Sequence, residues 1–124
     1  MPPVEVVFYC ETDGSVPVLE WLEQLRARDR RAFAKCVVKT NRLSELGHQI
    51  RRPEADFLGH GVYELRARSG TINYRVLYFF HGREVYVLAH ALTKEDQVPR
   101  RDIETALMRK ARFEEDTEGH THRE

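Results

Sequence analysis

The sequence lacks the long apolar run that a membrane-spanning helix needs, and it lacks a basic, apolar leader of the secretory type. It has only two cysteines, Cys10 and Cys36, whose spacing fits neither a metal site nor a redox motif. These scarcities predict a cytoplasmic protein in which both thiols are reduced and buried. They give no reason to expect a bound metal or another cofactor.

Neither sign of charge predominates, because the 124 residues include 20 basic and 20 acidic side chains. The distribution is uneven, however: the C-terminal segment 114-EEDTEGHTHRE-124 holds five acidic residues and one arginine. Residues 1–113 therefore carry 19 basic and 15 acidic side chains, a net charge of +4. We expect one mildly basic domain over residues 1–113 and a disordered polar tail over residues 114–124.

The first half of the chain reads as a strand followed by two helices. Residues 4–10 are β-branched and aromatic, which predicts a strand. Apolar residues at helical spacing then predict one helix that begins near Pro17 and a second that ends at Gly47. Residues 48–61 hold three Pro or Gly residues and no sustained period, so we expect a loop there.

The second half reads as three strands followed by a helix. The pairs Ser69-Gly70 and His81-Gly82 lie between apolar runs and predict two-residue hairpin turns. Pro99 precedes a helical pattern and suits the first position of a helix. The predicted order is β-α-α-β-β-β-α, an α+β fold with an antiparallel sheet.

The two hairpins predict which side chains share a face of the sheet, because directly paired residues point to the same side. One face is almost wholly apolar and suits packing against the helices. The other face collects the polar side chains Glu64, Arg66, Arg68, Asn73, Arg75, Tyr86 and His90. In the predicted register, Arg66, Asn73 and His90 form one row, and Glu64 lies opposite Arg75 in the next.

This polar face has two interpretations. It is a solvated sheet surface with a Glu64–Arg75 ion pair, as exposed strands commonly show. Alternatively it is a cationic surface for phosphates, since planar guanidinium groups bind oxyanions through paired hydrogen bonds. The pattern alone leaves both open.

Three motifs resemble those of a known family. They are 58-LGHGVYELR-66, 74-YRVLY-78, and Lys94 ahead of Pro99 and the last helix. Together they resemble the phage-derived RelE/HigB-like toxins of type II toxin–antitoxin systems, over roughly residues 4–113. The resemblance implies a RelE-like fold, with two N-terminal helices packed on one face of an antiparallel sheet and a C-terminal helix. It also implies a ribosome-associated mRNA endoribonuclease that needs no metal and is neutralised by a helix-turn-helix antitoxin.

The resemblance assigns roles to individual residues. Arg66 matches the arginine of the family's LR motif, and Arg75 matches that of its YR motif. Lys94 matches one lysine of a lysine-rich stretch that here reads 93-TKEDQVP-99. Thr93, Glu95 and Gln97 depart from the family pattern, and two acidic residues replace cationic or neutral ones.

Metal-free RNA cleavage needs a base for the ribose 2′-hydroxyl, cations for the phosphorane charge and an acid for the leaving oxygen. Arg66 and Arg75 are the candidates for charge stabilisation, and Lys94 is a candidate phosphate contact. His90 can exchange a proton near neutral pH, or it can simply be a strand histidine held by Asn73.

The remaining polar side chains are candidate RNA contacts. Arg68 and Asn73 lie on the same face, although Arg68 is beside the turn. Tyr86 can stack on a base or pack against Leu77. Glu64 can act as a base, but opposite Arg75 its simpler role is to fix the guanidinium.

A second class of function stays open. The same fold serves catalytically silent relatives, such as ParE-like gyrase inhibitors or phage-derived binding modules, and fold alone does not separate them.

Overall fold

A computed structural model describes residues 4–93 and 97–124. It contains six strands, three α-helices and two short 3₁₀ turns. The strands are β1 (Glu5–Tyr9), β2 (Ala55–Gly59), β3 (Val62–Ser69), β4 (Ile72–His81), β5 (Val85–Thr93) and β6 (Thr121–His122). The helices are α1 (Pro17–Arg28), α2 (Arg30–Leu46) and α3 (Arg100–Glu115), and the 3₁₀ turns are Gly47–Gln49 and Glu118–His120.

The six strands form one sheet in the order β2-β3-β4-β5-β1-β6. The α+β class and the predicted placement of α1 and α2 on one face are confirmed. The sheet is not wholly antiparallel, because β1 pairs with β5 in parallel. The helical hairpin between β1 and β2 carries the chain across the face of the sheet, which leaves β1 free to run beside β5 in the same direction.

Local capping explains where the two N-terminal helices begin and end. Pro17 occupies the first turn of α1, and the Glu20 carboxylate accepts a hydrogen bond from the Val16 N–H at 2.7 Å. Asp29 separates the helices and caps α2, because its Oδ1 accepts from the Ala32 N–H at 3.0 Å. Gly47 ends α2 with φ = 54°, as predicted for a glycine at this position.

Each face of the sheet carries its own hydrophobic core. Under α1 and α2, apolar side chains of the two helices and of the sheet are buried together. The opposite face is covered by α3, whose Phe113 is fully buried and packs edge-to-face against Phe79 at 5.4 Å between ring centroids. The face predicted to be polar and open is therefore largely a second core, and its arginines lie at one end of it.

The first hairpin differs from the prediction by two residues. Ser69 pairs with Ile72, so the turn is Gly70-Thr71 and Arg66 lies directly opposite Arg75. Gly70 adopts φ = 62°, which suits the first central position of such a turn. A shift of two residues preserves the faces but changes the rows, so the predicted Arg66–Asn73 and Glu64–Arg75 pairings are wrong.

The second hairpin has a three-residue connection, because His81 pairs with Val85. The odd shift turns the first half of β5 over, so Tyr86 lies on the α1/α2 face and not beside the arginines as predicted. An irregularity after Leu88 then returns the rest of β5 to the predicted faces. The partner of His90 is Leu77, whereas the predicted partner was Asn73.

Residues 48–61, predicted to be a loop, contain β2. Gly59 pairs with Val62 across the turn His60-Gly61, whose φ angles are 53° and 82°. Two consecutive positive φ values match a tight hairpin turn, so the glycines that suggested a loop instead close a hairpin.

Residues 114–124 are folded, in contrast to the predicted disordered tail. The backbone of β6 pairs with Phe8 and Tyr9 of β1. The His120 ring stacks on Tyr9 at 5.2 Å, and its Nδ1 is hydrogen-bonded to the Cys10 carbonyl oxygen at 2.8 Å. The composition of the tail is polar, but β1 would otherwise be an edge strand, and β6 supplies its missing backbone partners.

Among the residues that the structure describes, no helix is both long and apolar enough to cross a membrane.

Candidate functional site: paired arginines under the C-terminal helix

Arg66 and Arg75 lie side by side on β3 and β4, and one carboxylate joins them. Arg75 donates from Nη1 to Glu64 Oε2 at 2.8 Å. Arg66 donates from Nε to Glu64 Oε1 at 2.7 Å, and its Nη2 also contacts the same oxygen. Glu64 is 2% exposed and pairs in the ladder with Leu77, so it reaches Arg75 diagonally. The Glu64–Arg75 ion pair is thus present, although the register that predicted it is wrong.

A fourth charged group, Asp56 of β2, completes the cluster. Its Oδ2 accepts a hydrogen bond from Arg66 Nη2 at 3.2 Å, and its Oδ1 accepts from Arg52 Nε at 3.0 Å. The Arg52 hydrogen bond, and to a smaller extent the nearby charge of Arg66, lowers the pKa of Asp56. The carboxylate is therefore ionised near neutral pH and holds Arg66 in place.

These charges form the floor of a cleft between the sheet and the start of α3, which we call the arginine cleft. Its lining comprises Asp56, Leu58, Glu64, Arg66, Arg75, Gln97, Val98 and Ile103. The Arg66 side chain is 31% exposed and that of Arg75 is 9% exposed, so Arg66 is the more open of the two. Two guanidinium groups face two carboxylates, so the floor carries no net charge of its own.

The cluster is suited to positioning and to short-range charge stabilisation. Arg66 Nη1 makes no hydrogen bond to any residue in the described ranges. The two N–H groups of Nη1 can therefore reach an oxyanion in the cleft. Because the carboxylates already hold the guanidinium planes, a ligand phosphate would meet an ordered donor set.

His90 is tied to α3 through both ring nitrogens. Nε2 lies 2.6 Å from Asp102 Oδ1, and Nδ1 lies 3.2 Å from Arg109 Nη1. Arginine has only donors, so Nδ1 must accept, and the Nε2–H group donates a hydrogen bond to Asp102. Arg109 also donates to the Ala89 carbonyl oxygen at 2.8 Å. This arrangement fixes α3 on the sheet and differs from the predicted contact between His90 and Asn73.

The other predicted site residues are dispersed. Arg68 is exposed and donates to the Gly70 carbonyl oxygen at 3.1 Å, beside the turn. Asn73 lies opposite Arg68, at the end of the sheet away from Glu64. Tyr86 is buried on the opposite face. Lys94 lies outside the described residues.

Sequence reasoning missed three residues that shape this region: Asp56, Asp102 and Arg109. Asp56 lies in residues 48–61, which the sequence predicts to be a loop. Asp102 and Arg109 share one helical stripe with Ala106 and Phe113, at spacings of four, three and four residues. That spacing places two charged side chains on the buried face of a helix, which is a signal that they have partners beneath it.

No group of three or more His, Cys, Asp and Glu side chains that could hold a metal ion occurs within residues 4–93 and 97–124. The acidic groups of the cleft are bonded to arginines, and that pairing disfavours a cation there.

The element order, the two N-terminal helices, the C-terminal helix and the mixed six-stranded sheet define an α+β fold. A scan against models of protein families matches residues 20–111 to the family described as Phage derived protein Gp49-like (DUF891). The matched segment spans well over half of the chain and includes both arginines of the cleft, so the chain belongs to this family, one of the RelE/HigB-like toxin families. A search of curated proteins finds no match.

Proposed function

We propose that this protein is the toxin of a type II toxin–antitoxin system and that it cleaves mRNA on the ribosome. The observation that carries the proposal is the pair Arg66 and Arg75, held side by side by Glu64 at the floor of a cleft. Membership of the Gp49-like family supports it, because the matched residues 20–111 include both arginines, which the resemblance assigns to the LR and YR motifs.

The proposed reaction is an internal transesterification. The ribose 2′-oxygen attacks the adjacent phosphorus, the bond from phosphorus to the 5′-oxygen breaks, and the products are a 2′,3′-cyclic phosphate and a 5′-hydroxyl. Water takes the proton of the 2′-hydroxyl, and water also supplies the proton that the departing 5′-oxygen gains. Arg66 contacts the non-bridging oxygens with Nη1, and Arg75 adds positive charge behind it as the phosphorane forms.

Other groups have supporting roles in this proposal. Lys94 contributes a phosphate contact from the segment before α3. Glu64 positions both guanidinium groups, and its two hydrogen-bonded oxygens make that role simpler than a role as base. His90 holds α3 over the cleft, since both its ring nitrogens are bonded to that helix.

A polyanionic partner is also supported by a basic surface where α1 meets α2. Five exposed cations lie there within ten residues: Arg26, Arg28, Arg30, Arg31 and Lys35. None of them forms an ion pair with a residue of the described chain, and the one acid among them, Asp29, is occupied in capping α2. Such a surface favours a phosphate backbone and predicts binding that weakens with salt. We propose a helix-turn-helix antitoxin as the neutralising partner.

One observation favours the second candidate, a catalytically silent relative that inhibits gyrase or serves as a binding module. Glu64 and Asp56 compensate the charge of Arg66 and Arg75. His90 is bound to Asp102 of α3. A site built only to hold a structure together would show the same ion pairs.

Controlled induction of the full chain separates these functions. The nuclease proposal predicts growth arrest together with new 5′ ends inside translated transcripts, and no new ends when translation initiation is blocked. Arrest with intact transcripts and altered plasmid supercoiling would identify a gyrase inhibitor. Neither arrest nor new ends would favour a binding module.

A further inference from the structure

A second cleft lies on the opposite face of the sheet, beyond the end of α2, and we call it the aromatic cleft. It has a volume of about 450 Å³. Three tyrosine rings are stacked on one another beneath it: the centroids of Tyr63 and Tyr78 are 5.5 Å apart, those of Tyr78 and Tyr86 are 5.8 Å apart, and Tyr78 and Tyr86 are only 2% exposed. The rings that stay open to the cleft include those of Tyr63 and Phe80, which are half-buried and have centroids 5.4 Å apart. His48 stands edge-on to Phe80 and Tyr86 at 5.1 and 5.3 Å. The open rings of Tyr63 and Phe80 can accept a flat ring by stacking.

The wall of the aromatic cleft holds a polar group with an unmet hydrogen bond. The Tyr86 hydroxyl is buried, and it has no hydrogen-bond partner in the part of the chain that the structure describes. It lies beside Gly47, where an added Cβ would be 3.9 Å from the hydroxyl oxygen. Burial raises the pKa of Tyr86 to about 12, so the group keeps its proton near neutral pH. A buried hydroxyl without a partner is unfavourable, and a ligand that bonds to it relieves that cost.

The rim of the aromatic cleft carries an uncompensated cation. Arg51 is exposed and donates from Nη1 to the His48 carbonyl oxygen at 2.6 Å. It forms no ion pair with any described residue, whereas its neighbour Arg52 is paired with Asp56. The charge of Arg51 therefore favours an anion at the mouth of the cleft.

We propose that the aromatic cleft binds a single unstacked nucleotide, with its base on the rings of Tyr63 and Phe80, a base nitrogen or oxygen on the Tyr86 hydroxyl and its phosphate near Arg51. A phenylalanine side chain would stack but leave the hydroxyl unmet, and a neutral aromatic side chain would not use the arginine. This site lies on the opposite face of the sheet from the arginine cleft, although Asp56 of the edge strand β2 lines both clefts.

Titration of the isotope-labelled full chain with adenosine monophosphate, followed by two-dimensional NMR, tests the proposal. The amide signals of Gly47, His48 and Tyr86 should shift together. Ribose 5-phosphate, which lacks the base, should bind at least about fivefold more weakly because stacking is lost. Adenosine, which lacks the phosphate, should also bind more weakly, by about threefold.

The variant Tyr86→Phe removes only the hydroxyl and should weaken binding of adenosine monophosphate by about fivefold, the effect of one hydrogen bond. Tyr74→Phe is the matched control, because Tyr74 is buried on the same face but lies outside the cleft, against Trp21. Its affinity should equal that of the wild type. Arg75→Ala, in the other cleft, should also leave the affinity unchanged, which keeps this test independent of the nuclease proposal.

A trinucleotide that binds about tenfold more tightly than the monophosphate would identify the ligand as a base of single-stranded RNA, and equal affinities would identify a free nucleotide. The proposal is overturned if millimolar monophosphate leaves the three amides unshifted, or if ribose 5-phosphate binds equally well. It is also overturned if N-acetyltryptophanamide binds more tightly than the monophosphate, because the cleft then takes a side chain of a protein partner.

Discussion

The two clefts lie on opposite faces of one sheet, and they satisfy their polar groups in opposite ways. In the arginine cleft, Glu64 and Asp56 bond to the guanidinium groups, so the charges are compensated within the protein. In the aromatic cleft, the Tyr86 hydroxyl has no partner among the described residues, and Arg51 forms no ion pair with any of them. A site whose groups are satisfied internally gains order, whereas a site with unmet groups gains affinity when its ligand arrives.

The largest effect on stability is expected from the centre of the arginine cleft. Glu64→Gln removes the charge that holds Arg66 and Arg75, and it takes away a buried counterion of Arg75. We expect a loss of about 3 kcal/mol in the free energy of unfolding, measured by urea denaturation at pH 7. The control Glu104→Gln disrupts an exposed ion pair with Arg100 and should cost less than about 0.5 kcal/mol. A similar, small cost for both variants would show that the buried cluster is not what orders this cleft.

A second carboxylate with two cationic partners allows the role of burial to be isolated. Glu54 is paired with Lys39 and Arg42 near the aromatic cleft, but all three side chains are more exposed than Glu64. The Arg42 hydrogen bond is the main reason that the pKa of Glu54 falls from 4.5 to about 2. The folded state therefore gains stability above about pH 4.5 and loses it as the pH falls through about 2.

We expect Glu54→Gln to cost about 1 kcal/mol at pH 6, because solvent screens the pair, and to cost progressively less as the pH falls through about 2. Urea denaturation of the variant and the wild type across this pH range measures the difference. A cost that stays constant with pH would mean that packing, and not charge, accounts for the contribution of Glu54.

The smallest effect is expected at the wall of the aromatic cleft. Because the Tyr86 hydroxyl has no partner in the described chain, Tyr86→Phe should leave the free energy of unfolding unchanged or raise it by up to about 1 kcal/mol. The control is Tyr9→Phe, whose hydroxyl donates to Glu11 at 2.5 Å, and it should lose about 1 kcal/mol. If both variants lose stability equally, the Tyr86 hydroxyl has a partner within the folded protein. That result would contradict the proposal that this hydroxyl binds a ligand.

The contrast between the clefts also shows what sequence patterns can and cannot predict. The hairpin pattern placed Arg66, Arg75 and Glu64 on one face correctly, because an error of two residues in a register leaves every side chain on its side. The same reasoning put Tyr86 on the wrong face, because a three-residue turn in place of a two-residue turn reverses the sides. Turn length depends on local backbone geometry that one Gly in the sequence does not specify.

Long-range pairing was the other part that the sequence did not predict. β2 is five residues long and lies next to Pro53 and two glycines, so its alternation is too short to stand out. β6 is ordered by its position at the edge of β1, and its partners are more than a hundred residues away. Composition describes the segment alone, and it does not show that a neighbouring edge is available.

The central claim is that the arginine cleft is a catalytic site, and it is tested most directly by the cleavage rate of a defined mRNA in a reconstituted translation system. Arg75→Ala should lower the rate by about a hundredfold, and Arg75→Lys, which keeps a charge beside Glu64, by about tenfold. Arg68→Ala should change it by less than about threefold, because Arg68 is an exposed residue beside the turn. Each variant is assayed under conditions in which its urea denaturation curve shows that it is folded. Equal effects at Arg75 and Arg68 would contradict the account, since the face would then be a general phosphate surface and not a site of catalysis.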